Sequence, residues 1–246
     1  KQTDLSVPYK FDDYYYYTRY EEGKEYAFYC RKRGSLEAEE EIMFDGNAMG
    51  EGLGYFSLRG VNVSPDTKLA VFGVDDVGRR FYTLRVKNLV TGTVLADEIP
   101  DVTGNVTWAM DNRTLFYGKQ DPETLRSHQI WRHVLGTDPA ADELVYQEDD
   151  DTFSCYVGRS KSDRFLVITS NQTLSTEYRY LDANDPVALP GQPGKVDRLA
   201  AQRHEHRSPA YAPVFLQAGI ALVFMPADAI FPPALEPVFQ DDDLLL

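Results

Sequence analysis

Over roughly the first three quarters of the chain, apolar and polar positions alternate with period two in short runs, and each run ends at Asp, Asn, Gly or Pro. This pattern predicts half-buried β-strands joined by tight turns. Around Val61 the order is strand (GVNVS), PD turn, strand (KLAVFGVDD), polar turn (VGRR), strand (FYTLRVKNL), TG turn, strand (VLADEI). The same order returns from Asn105 as NVTWA, TLFYGKQ, QIWRHVL and ELVYQ, and from Thr152 as TFSCYVGRS, RFLVITS and EYRYLDA. An earlier copy reads DLSVPYK, YYYYTRY, EYAFYCRK and EIMFD.

Asp13, Asp66, Asp111 and Asp163 each stand in the turn before the second strand of a unit. The period is roughly 45–53 residues, as expected for four-stranded β-propeller blades. One blade cannot bury both of its faces, whereas stacked blades can, and this accounts for strands that are aromatic on both sides, such as Tyr14 to Tyr17. A β-sandwich would accommodate the strand density without predicting the recurring unit. The expected fold is therefore all-β: a partial propeller of about four four-stranded blades.

After Leu189 the pattern stops. Eight of the 14 prolines fall between Pro190 and Pro237, a density hostile to further blades. The expected organisation is an incomplete propeller over residues 1–189 and an irregular, Pro-rich tail over 190–246. Loss of the reading frame near Pro190 would explain the change. Within the tail, FLQAGIALVFM could form one buried strand or a short helix.

Composition narrows the partners. The 246 residues are 43% hydrophobic, enough for a substantial core. A net charge of −14 argues against nucleic acid and anionic membranes and suits a cationic ligand, although acidity also serves solubility alone. Cys30 and Cys155 form no disulfide framework and read as ordinary buried or half-buried thiols. No apolar run approaches the ~20 residues of a membrane-spanning helix. There is no signal-peptide pattern, and the chain begins at KQTDLSVPY without Met, so a preceding segment is expected to be missing. The sequons at Asn62, Asn105, Asn112 and Asn171 read as chance matches.

Candidate chemistry is sparse. No G-x-S-x-G elbow occurs: GNAMG (Gly46 to Gly50) lacks a nucleophile, and GEGLG (Gly50 to Gly54) reads as a flexible loop. His128 and His133 flank QIWRHVL and are expected to make surface hydrogen bonds; HEH at His204 to His206 has no zinc-binding spacing. No catalytic residue, metal or cofactor is assigned. The one charge cluster at a blade junction is Glu148, Asp149, Asp150 and Asp151. These four carboxylates would attract a cationic peptide if they lay near the central channel, or form a solvated outer loop if they did not. The run lacks the spacing of a calcium loop.

DLSVPYKFDDYYYYTRYEEGKEYAFYCRK, VSPDTKLAVFGVDDVGRRFYTLRVKNLVTG and DNRTLFYGKQDPETLRSHQIWRHVLGTDPAADELVYQEDDDTF together resemble the propeller domain of the prolyl oligopeptidase family, and its oligopeptidase B branch most of all. The resemblance covers about residues 1–189. It implies a cytoplasmic serine peptidase cleaving short peptides after Arg or Lys, in which a seven-bladed propeller filters substrates for an α/β-hydrolase domain carrying a Ser–Asp–His triad. No triad residue of that family can be placed on this sequence. The chain is thus expected to be an inactive fragment, with short basic peptides and the missing hydrolase domain as its partners. The alternatives are a non-enzymatic binding module and a propeller of another family whose tail closes the ring.

Overall fold

The computed structural model describes residues 3–186, and the expectations for 190–246 lie outside them. The chain divides at Gly104 into two compact units.

The first unit holds two antiparallel sheets. In one, β1 (Asp4–Leu5) and β2 (Tyr9–Phe11) both pair with β3 (Tyr14–Tyr20), which is followed by β4 (Phe28–Arg33) and β5 (Glu40–Asp45). The strand expected over DLSVPYK is therefore broken in two. A one-turn helix, α1 (Gly46–Met49), follows at GNAMG, capped by the Asp45 side chain. The second sheet runs β6 (Ser57–Val63), β7 (Leu69–Asp75), β8 (Tyr82–Asn88) and β9 (Val94–Val102), each pairing with the next. Tyr16, Met43, Phe44, Val63, Ala70 and Phe72 form one core across the two sheets. The Phe44 and Phe72 rings lie 4.7 Å apart at its centre, each burial being worth about 1.5–3 kcal/mol. Tyr17 lies on the other face with Phe28 and Cys30, so the tyrosine run does feed both faces of its strand.

The second unit repeats the plan. β10 (Val106–Trp108), β11 (Thr114–Gln120), β12 (Ser127–Val134) and β13 (Glu143–Gln147) form a four-stranded sheet. β14 (Ser154–Arg159), β15 (Phe165–Asn171) and β16 (Thr176–Asp182) form a three-stranded one. Phe116, Ile130 and Val145 of the first pack with Cys155, Leu166, Ile168 and Leu181 of the second. The Asn105 side chain joins the sheets by accepting from the Val157 N–H at 2.8 Å and donating to its carbonyl at 2.9 Å. A glycan on Asn105 would remove that pairing, so this sequon is structural.

The repeating turns have one geometry with different residues in it. Asp12, Thr67, Asn112 and Asp163 are left-handed, with φ of 51°, 62°, 58° and 59°. In each turn the next residue's carbonyl accepts a backbone N–H from just beyond the third strand: Asp13 from Gly34, Lys68 from Leu89, Arg113 from Leu135 and Arg164 from Ala183. The four aspartates picked out by spacing are thus not equivalent. Asp66 and Asp111 precede the left-handed residue, Asp163 occupies it and Asp13 follows it. Asp and Asn recur in the turn because their short side chains tolerate left-handed backbone and bond nearby N–H groups.

Candidate functional site at a blade junction

The acidic run joins β13 to β14, and β12 positions it from below. Arg126, just before β12, directs Nη1 at three carbonyls of the connection: Glu148 at 3.3 Å, Asp150 at 3.1 Å and Phe153 at 2.8 Å. The Glu148 N–H donates to the His128 carbonyl at 2.8 Å. The loop is therefore tied to the sheet through its backbone, which leaves its side chains to differ.

They differ sharply. Glu148 is buried, accepting from the Tyr146 hydroxyl at 2.6 Å and from the Asp150 N–H at 3.2 Å. Asp150 is exposed but accepts from the Thr152 N–H and hydroxyl at 3.0 and 2.7 Å, forming the turn. Asp149 is exposed and accepts from Gln147 Nε2 at 2.9 Å, and Asp151 is exposed. The run thus presents three carboxylates to solvent, with the fourth serving the interior.

Behind Glu148 lies a connected polar group. Tyr146 also accepts from Ser170 Oγ at 3.1 Å, while the Arg179 guanidinium sits 4.3 Å over the Tyr146 ring and pairs with Glu177 at 3.0 Å. Burial, then the bond to Glu148, pushes the Tyr146 hydroxyl up to about 12. Burial and the nearby Glu148 charge likewise push the Cys155 thiol up to about 12. That thiol stays protonated and is no nucleophile at neutral pH. Cys30 is also buried, as expected, and is pushed up to about 12 by burial.

His133 corrects the surface expectation. It is fully buried, with Nδ1 2.7 Å from Asp142, whose other oxygen accepts from the Tyr117 hydroxyl at 2.8 Å. Arg132 and His133 are consecutive and both buried. Consecutive strand residues point to opposite faces, so both faces of β12 are covered and a polar residue in the strand is not thereby exposed. His128 is half-buried against the Arg126 carbonyl at 3.2 Å. Sequence reasoning missed Arg126, Tyr146, Arg179 and the Tyr117–Asp142–His133 group, because each depends on contacts between strands. Among the described residues, no cluster of His, Cys, Asp and Glu is placed to hold a metal ion. No helix among them is long and apolar enough to cross a membrane.

Among the described residues, four successive antiparallel sheets, nearly free of helix, define part of a β-propeller. Residues 1–211 match the prolyl oligopeptidase N-terminal β-propeller domain. The chain is 40% identical over 201 residues to dipeptidyl aminopeptidase BI of Pseudoxanthomonas mexicana, an alignment covering 76% of this chain and 28% of that protein. Protease 2 of Moraxella lacunata is 31% identical over 193 residues, with the same coverage. Among solved structures, oligopeptidase B from Leishmania major superposes with a TM-score of 0.69 at 32% identity, over 74% of this chain and 26% of that one. The chain belongs to the prolyl oligopeptidase family, within its N-terminal propeller. It spans little more than a quarter of the length of these relatives.

Proposed function

We propose that this chain is part of the substrate-gating propeller of an oligopeptidase B-like serine peptidase. Its parent would hydrolyse short peptides after Arg or Lys in the cytoplasm, by acyl-enzyme chemistry on a separate hydrolase domain. The observation that carries the reading is the alignment to peptidases of this family, which falls in their propeller portion. The sequence contains no G-x-S-x-G elbow, so the chain alone is inactive in this reading. The exposed Asp149, Asp150 and Asp151 draw basic peptides toward the channel, and the hydrolase domain is the partner that completes the enzyme. Loss of the frame near Pro190 remains the proposed origin of the Pro-rich tail.

The 40% identity to a dipeptidyl aminopeptidase supports a second reading, in which the parent removes dipeptides from peptide N-termini. A third, a non-enzymatic propeller that binds peptides, rests on the absent elbow alone. The deciding experiment assays the purified chain, and the protein restored by translating the other frames beyond codon 189, on an arginyl endopeptidase substrate and on a free-amino dipeptidyl substrate. Arginyl cleavage by the restored protein only, stopped by a serine-directed reagent, is expected. Cleavage by the chain itself overturns the gating reading; preference for the dipeptidyl substrate favours the second; no frame reaching a serine elbow favours the third.

A further inference from the structure

The four sheets do not end alike. In the first three the last strand is β5, β9 or β13, each following its predecessor after a short connection. The fourth sheet runs β14–β15–β16, and among the described residues no strand pairs with β16 on its far side. The chain beyond β16 heads elsewhere. The Ala183 carbonyl accepts from the Met110 N–H at 2.8 Å, and the Pro186 carbonyl accepts from Arg132 Nη1 at 2.5 Å. Residues 183–186 thus lead toward the third sheet instead of folding back along β16.

The outermost strands also differ in charge. β5 (EEIMFD), β9 (VLADEIPDV) and β13 (ELVYQ) carry acids and no base. Two copies of any of them laid side by side bring acid toward acid, and Pro100 interrupts β9 as well, so these edges resist pairing. β16 reads TEYRYLD, with Glu177 and Arg179 on either side of Tyr178. That order is self-complementary. An antiparallel copy centred on Tyr178 sets Glu177 of each chain opposite Arg179 of the other.

The backbone is phased for the same pairing. At the two ends of the β15–β16 ladder, the Ala183 N–H donates to the Arg164 carbonyl at 2.8 Å and the Gln172 N–H to the Ser175 carbonyl at 2.9 Å. Bonded and non-bonded pairs alternate along an antiparallel ladder. Glu177, Arg179 and Leu181 therefore turn their backbone groups to β15, while Thr176 and Tyr178 turn theirs to the far edge. Tyr178 at the centre can exchange both of its bonds with its own counterpart. It shares a sheet face with Tyr156, which is 45% exposed, and the pairing brings two Tyr178 side chains together there. Glu177 and Arg179 pair with each other at 3.0 Å and stay partly exposed, so both can also answer charges on a strand laid beside them.

We propose that β16 is a docking edge for a second copy of this chain, the two strands pairing antiparallel about Tyr178 in an isologous dimer. The dimer depends on the fold alone and not on the peptide-gating reading.

The test is sedimentation of the full 246-residue chain over a concentration series, with hydrogen exchange read at the Tyr178 amide. A monomer–dimer equilibrium is expected, with Tyr178 protected as the dimer fills. Glu177→Arg sets Arg against Arg in both cross-strand pairs and should raise the dissociation constant about thirtyfold. The same substitution lowers the net negative charge, so a general charge effect would tighten association instead. Glu177→Arg with Arg179→Glu reverses both charges and should restore the dimer. Arg179 also lies over the Tyr146 ring, so the exchange measurement on the unaltered chain decides the question should the double variant misfold. A chain that stays monomeric while Tyr178 exchanges freely overturns the proposal. Slow exchange in a monomer also overturns it, because the chain's own residues then cover the edge. A dimer indifferent to Glu177→Arg does the same, by placing the contact elsewhere.

Discussion

On the first blade Tyr17 donates to Glu40 at 2.5 Å, Arg19 clasps the same carboxylate through Nε at 3.0 Å and Nη2 at 2.9 Å, and Cys30 lies buried beside them. At the junction in the second unit, Tyr146 donates to Glu148 at 2.6 Å with Cys155 buried beside them, but Arg179 pairs with Glu177 instead. The two clusters have the same parts and different wiring. Glu40 meets its cation directly, and the hydrogen bonds from Arg19 hold its carboxyl below the usual range despite burial. Glu148 is held by a neutral hydroxyl and a backbone N–H, and it continues into three exposed aspartates. In the first cluster Arg19 is shared between Glu40 and Glu21, and the carboxylates meet a cation within the sheet. The other leaves negative charge facing solvent, the arrangement a cationic partner needs.

The comparison breaks most visibly at Glu40. Glu40→Ala strands the Tyr17 hydroxyl and removes the main acceptor of Arg19, and should cost about 3 kcal/mol in urea unfolding. The pH dependence has a definite sign. Because the folded carboxyl is depressed, its contribution is complete above the unfolded value near 4.5 and is lost as pH falls through the lower folded value. Glu40→Gln should therefore flatten the fall in stability below pH 4.5; an unchanged acid limb would show that Arg19 does not stabilise the fold through this carboxylate.

Arg126→Ala is the next largest. Three carbonyls lose a shared donor, at a cost of about 2 kcal/mol, and hydrogen exchange should accelerate over residues 148–153 more than in the rest of β13 and β14. Exchange that rises evenly across the second unit would mean that Arg126 braces the sheets rather than the loop.

The smallest effect on stability sharpens the comparison furthest. Asp149→Asn with Asp151→Asn should leave unfolding within about 0.5 kcal/mol of the parent chain. The same pair should weaken binding of a tetra-arginine peptide and lower its dependence on salt. Binding that is unaffected would mark the run as a solvated loop.

Much of this architecture could be read from the sequence. Alternation located every strand of the middle blades to within a few residues, and the tyrosine run announced a strand covered on both faces. Turn spacing found the repeat, although residue identity misaligned it by one position, because the left-handed site holds Asp12, Thr67, Asn112 and Asp163 in turn and no single residue type marks it. The acidic run was legible as a cluster, but its division was not. Glu148 and Asp149 are adjacent and chemically alike, and only the Tyr146 hydroxyl beside one of them draws it inside. His133 was misjudged for a related reason: a polar residue in an alternating strand implies solvent only when one face of that strand is wet.

Periodic hydrophobicity and turn chemistry are local properties, and by themselves they determined the strands, the blade repeat and membership of a propeller family. Which polar residues are buried and which arginines find carboxylates were decided by tertiary packing. Those outcomes depend on residues far apart in the chain, such as Asn105 with Val157 or Arg126 with Phe153. Most buried polar groups find a partner, either on another strand of the same sheet, as His133 does in Asp142, or on the next sheet, as Asn105 does in Val157.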